Sequence, residues 1–204
     1  ITGFATLFGV EAVGGHLANA IGMVTVPLFF LAGSILAAIL VERPLQHGRR
    51  PHYTATMALV AGCLLLTAVL GQLNVFGMFG GEVEIGRDYL LMALLCGASG
   101  LQNSVISSSS GATIRLTHLT GLTTDLGAGI VRLWGARGAK IHERERQATL
   151  LRAGTICSFT IGGVVGAWLF REVRYLGFLA PTTIALYAMW VAHRHQFSAR
   201  TGNG

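Results

Sequence analysis

The sequence predicts an all-α polytopic membrane bundle of about six transmembrane helices in two inverted three-helix repeats. It forms a single membrane domain over 1–204, with repeat one at 1–76 and repeat two at 88–195. Three observations predict this. Only 12% of the 204 residues are charged while 52% are apolar, against about 25% charged in a soluble domain. The apolar residues fall in long runs separated by short basic clusters. The two halves also carry similar residues in the same order.

A crossing helix needs about 20 mostly apolar residues. Five runs qualify in whole or nearly so: Val26–Val41, Thr54–Phe76, Tyr89–Val105, Ala153–Phe170 and Tyr175–Ala192. A sixth, shorter run extends from Ile1 to Gly15, and Ile1 in place of a start methionine predicts an incomplete or processed N-terminus. Pro27 is expected in the first turn of its helix, where its missing N–H costs nothing. Pro181 is expected inside the last run, where it should kink the helix. The Arg-rich stretch Ala136–Arg152, with Glu143 and Glu145, reads as a separate amphipathic helix against anionic headgroups. Trp134, Trp168, Trp190, Tyr175 and Tyr187 lie near run ends and read as interfacial anchors.

Orientation follows from the cations. Arg43, Arg49 and Arg50 occupy one loop, and Arg115, Arg132, Arg137, Lys140, Arg144, Arg146 and Arg152 another. Arg194 and Arg200 sit in the tail, while the opposite side holds Arg87, Arg171 and Arg174. That is 12 cations against 3, so both termini and both basic loops are expected in the cytoplasm. Topology accounts for the net charge of +6, and no nucleic-acid partner is implied, since aromatics do not interleave the basic residues.

The repeat aligns Leu17–Thr25 with Leu116–Thr124, with flanking matches at Gly9–Ala12 and Gly100–Asn103. An odd number of crossings per half inverts the second half, as in many secondary transporters, whose sites lie at interrupted helices near the midplane. Here the expected interruptions are Gly14-Gly15-His16 to Gly22, and Ser107–Gly111 to Gly121.

Gly97–Asn103, followed by Arg115–Gly127 (Arg-Leu-Thr-His-Leu-Thr-Gly-Leu-Thr-Thr-Asp-Leu-Gly), resembles the YoaK-like family of bacterial multi-pass membrane proteins of unknown function. Glu11 stands where that family has an aspartate, and Asn19–Met23 corresponds to its N-M-T-G-N element. The resemblance implies a multi-pass protein of the bacterial inner membrane and no particular activity.

The substrate-binding candidates are Glu11, Asn19, Gln102, Asn103, His118, Thr120 and Asp125. An ionisable group such as Glu11 inside a membrane is a functional hypothesis by default. Apolar surroundings favour a neutral carboxyl, which suits proton coupling. Gln102 and Asn103 suit either ligand contact or interhelical glue. His118 suits a charge switch or a structural hydrogen bond to a loop carbonyl. Asp125 is expected to cap a helix over Leu116–Leu133 or to pair with Arg115 or Arg132. Cys63, Cys96 and Cys157 have no ligand-spaced neighbours and read as packed apolar residues. No metal, cofactor or catalytic motif is expected. The partners expected are the lipid bilayer and a small solute or ion. The glycine-rich faces Gly127–Gly129 and Gly162–Gly166 suit contact between helices or copies in a homo-oligomer. The leading function is a small-solute secondary transporter, and the alternative is a non-transporting membrane scaffold or sensor.

Overall fold

The computed structural model describes residues 2–15, 17–78, 85–109, 119–135 and 139–201, and among these the chain is helical with no strand. Eight α-helices follow in order: α1 Thr2–Val13, α2 Leu17–Ala37, α3 Arg43–Gln46, α4 Tyr53–Gln72, α5 Ile85–Ser109, α6 Leu119–Gly135, α7 Ala139–Val173 and α8 Leu179–Thr201. A π-helical turn, Ala38–Glu42, joins α2 to α3, and a 3₁₀ turn, Arg174–Phe178, joins α7 to α8. Each of the six apolar runs is mostly helical among the described residues. Among the described residues, four stretches are long and apolar enough to cross a bilayer: Gly22–Gln46, Tyr53–Gln72, Tyr89–Ser109 and His142–Arg194. In hydrocarbon each backbone polar group must be bonded within its own segment, which is why these runs are helical.

Three boundaries differ from expectation. Helix α2 begins at Leu17, so Pro27 lies inside it. Leu17, Ala18, Ala20 and Ile21 are apolar enough for lipid to hold the helix together through the glycine and the proline. The Pro27 ring removes the donor for the Met23 carbonyl, and one turn away the Thr25 hydroxyl donates to the Gly22 carbonyl (2.6 Å). Pro181, by contrast, is the third residue of α8, where backbone N–H groups lack an intrahelical acceptor in any case. Finally, the amphipathic stretch 139–152 is not a separate helix. It is the first half of α7, which runs unbroken for 35 residues, because nothing between Ala139 and Ala153 is a glycine or proline.

The chain divides into two compact units. The first comprises Ile1–Val105 with Glu172–Gly204, and the second comprises Ile106–Arg171. The first unit's core gathers Ala37 and Val41, Met57, Val60 and Ala61 from α4, Ala98, Leu101 and Val105 from α5, and Ala185 from α8. These are mostly small or β-branched side chains, as expected where lipid gives no hydrophobic drive and close packing holds helices together. Thr56 and Thr67 are fully buried, and their hydroxyls donate to the His52 and Cys63 carbonyls one turn back (3.1 and 2.9 Å). Tyr175, read from the sequence as an interfacial anchor, is buried instead. Its ring packs on Gly71 and stands 5.9 Å from that of Phe76. Trp134, Trp168, Tyr187 and Trp190 are exposed.

Candidate functional site

The polar candidates of the first unit cluster around two features. One is the break between α1 and α2. Gly14 N–H donates to the Val10 carbonyl (2.9 Å) and Gly15 N–H to Ala12 (3.5 Å). Gly15 then takes φ +81°, a left-handed conformation that ends the helix. The expected interruption is therefore present at Gly14-Gly15, but the chain is helical again from Leu17 through Gly22. Glu11 occupies the last turn of α1 and is half-buried, and Asn19 falls in the first turn of α2. Glu11 has an interaction partner, and the Asn19 side chain lies outside the described residues. Helices α1 and α2 pack against each other.

The second feature is the crossing of α2 and α5. A Cβ on Gly33 would run into the Gly97 carbonyl, and one on Gly100 into the Phe30 carbonyl. The two backbones therefore touch without intervening side chains, in the manner of small-residue membrane interfaces. Ser34 Oγ donates to the Gly100 carbonyl (3.4 Å), and the Phe29 and Tyr89 rings meet edge to face at 6.4 Å. Just beyond the crossing, Gln102 is exposed while Asn103 is half-buried and has an interaction partner. Ser34 was not among the sequence-derived candidates. Its signal was Gly97 and Gly100 at i,i+3 in an apolar run, opposite Gly33-Ser34.

The second unit holds Thr120 and Asp125, both exposed on α6, while His118 and Arg115 lie outside the described residues. The Thr120 carbonyl accepts from the Thr124 hydroxyl (3.0 Å). Arg132 does not pair with Asp125. Its Nε donates to Glu145 Oε1 at 3.0 Å, and Arg152 Nη1 lies 3.5 Å from the same oxygen. Glu145 and Arg152 are only 22% and 13% exposed, so this charge cluster, unlike Arg132 at 53%, is largely shielded from water. Gly129 makes room for it, since a Cβ there would meet Thr149 Oγ1 at 2.7 Å. The sequence marked Glu145 only as one charge of an amphipathic face. Its partner lies 13 residues away on another helix, beyond the reach of local spacing rules.

Among the described residues no group of three or more metal-ligating side chains forms, and Cys63, Cys96 and Cys157 are free thiols. Lipid-length apolar helices with small-residue crossings define a multi-pass helical membrane protein. The chain belongs to the DUF1275 family, described as proteins of unknown function, which matches residues 1–192. No curated protein matches the chain, and no solved structure does.

Proposed function

We propose that this DUF1275 protein is a small-solute secondary transporter of the bacterial inner membrane, crossing it six times as two inverted three-helix repeats with both termini in the cytoplasm. The observation that carries the reading is the break at Gly14-Gly15, which sets Glu11 before and Asn19 after an interruption of apolar helix. Interrupted helices offer unpaired backbone groups and helix ends to a solute, while a carboxyl beside them can exchange a proton. Gln102, Asn103, His118, Thr120 and Asp125 are the remaining polar groups assigned to solute contact. The reading involves no catalytic step, cofactor or nucleic acid, and its partners are the bilayer, a solute or ion, and further copies of the chain.

A membrane scaffold or sensor is the second reading, favoured by the α2–α5 crossing, where Ser34 bonds helix to helix. Thermal unfolding of the detergent-solubilised protein against metabolites and ions at several pH values separates the two. A ligand that binds only the folded state must raise the melting temperature. A transporter gives a shift that Glu11→Gln or His118→Ala abolishes, whereas no shift across a broad panel selects the scaffold.

A further inference from the structure

The turn between α2 and α4 is more ordered than a cluster of orienting charges requires. The chain widens into π-helix over Ala38–Glu42, a form often found at functional sites, and then makes the single turn of α3 with Pro44 in its opening position. Gly48, at φ +64°, reverses it. Arg49 N–H returns to the Pro44 carbonyl (2.8 Å) and His52 N–H to the Leu40 carbonyl (3.0 Å), so the two ends of the segment close on each other.

A cleft of about 440 Å³ lies between them, lined by Ile39, Arg43, Pro44, His47, Arg49 and His52. Two of these side chains are permanent cations, two are histidines, and none is acidic; Glu42, the segment's carboxylate, does not line it. Among the described residues neither Arg43 nor Arg49 is ion-paired. The histidine rings are held by the backbone. His47 Nδ1 is 2.7 Å from the Arg43 carbonyl and His52 Nδ1 is 3.2 Å from the Leu40 carbonyl. A carbonyl only accepts, so each Nδ1 carries the hydrogen, and Nε2 remains as the ring's second polar atom.

We propose that this cleft is a binding site for a phosphate group, with Arg43 and Arg49 as forked donors between the two backbone-oriented histidines. Guanidinium forks match phosphate oxygens in pairs, which a point charge does not. Two sources carry that chemistry: an anionic phospholipid headgroup and a free phosphate. Exposed Ile39 and Leu45 on the same segment offer apolar surface beside the cations and favour the lipid.

The test uses the protein in nanodiscs of phosphatidylcholine alone, of phosphatidylcholine with rising phosphatidylglycerol, and of phosphatidylcholine with inorganic phosphate against chloride at equal ionic strength. The expected result is a melting temperature that rises with phosphatidylglycerol. Arg43→Gln/Arg49→Gln should move half-saturation roughly tenfold or more to higher lipid fraction. Arg144→Gln/Arg146→Gln removes the same charge from the first half of α7, where attraction to headgroups is diffuse, and should move it far less. A rise with inorganic phosphate alone assigns the site to a free anion. Equal weakening by both double variants would mean diffuse attraction to a basic surface and would overturn the proposal, as would no rise with either anion. If the glutamine pair does not fold, Arg43→Lys/Arg49→Lys keeps the charge and loses the fork. It must weaken the response too, and an unchanged response there overturns the proposal.

Discussion

At the scale of single residues, the glycines divide into those that carry a contact and those that do not. Gly33 and Gly100 let the α2 and α5 backbones meet, and the opposing atoms are main-chain carbonyls that have nowhere to move. Gly162 and Gly163 on α7 have nothing within 4 Å. Gly100→Ala should therefore lower stability by about 1–3 kcal/mol, the usual cost of overpacking. Gly162→Ala should be neutral or stabilising, since alanine is the better helix former by about 1 kcal/mol. Thermal unfolding in detergent checks the pair, and equal melting temperatures for the two variants would count against the crossing. Composition alone does not separate these glycines, because what distinguishes them is the partner across the interface. The same holds for Tyr175, whose place near a run end suggested an interfacial ring and whose burial depends on Gly71 of α4, with α5, α6 and α7 between them in sequence.

At the scale of elements, the sequence was legible wherever the lipid requirement dominates and illegible where helix ends depend on context. Among the described residues all six apolar runs are mostly helical, since unbonded backbone in hydrocarbon is too costly. The roles of the two prolines exchanged for the same reason: lipid carries α2 through Pro27, and the 3₁₀ turn at Arg174–Phe178 delays α8 until Pro181 sits in its first turn. The candidate site was legible only in part. The glycine break covers only the Gly14-Gly15 end of the segment the sequence assigned to it, whereas the charge cluster of α6 and α7 joins residues that no spacing rule relates. That cluster supports a quantitative prediction. Glu145 neutralises two arginines, so Glu145→Gln leaves poorly solvated Arg152 without its carboxylate and should cost about 1.5–3 kcal/mol. In double-mutant cycles the Glu145–Arg152 coupling should exceed that of Glu145 with the more exposed Arg132, which belongs near 0.2–1 kcal/mol for exposed pairs (an order-of-magnitude range). A larger coupling to Arg132 than to Arg152 would show that burial does not set the strength of this cluster.

At the scale of the whole molecule, the question is how many times the chain crosses. The stretch His142–Arg194 spans 53 residues, about 80 Å of helix at 1.5 Å per residue, against a hydrocarbon core of about 30 Å. It is long enough for two crossings, and on the six-crossing reading Arg171, Glu172 and Arg174 with the 3₁₀ turn fall between them. With six crossings, every arginine-rich loop falls on one side, 12 cations against 3. With five, the count depends on which run fails to cross: losing Tyr89–Val105 puts the two basic segments on opposite sides, against the positive-inside rule, whereas losing the first run, which precedes every cation, leaves the count unchanged. Cysteines introduced one at a time test this after Cys63, Cys96 and Cys157 are replaced by alanine, a step made necessary by the exposure of Cys157. Met78 and Glu172 are exposed positions assigned to the outer side. Met78→Cys and Glu172→Cys should react with a membrane-impermeant maleimide on intact cells. Gly48→Cys and Arg144→Cys, in the two basic segments, should react only after permeabilisation. If position 48 and position 144 label from opposite sides, the number of crossings between them is odd, the two basic segments do not share a compartment, and the inverted three-plus-three arrangement is wrong.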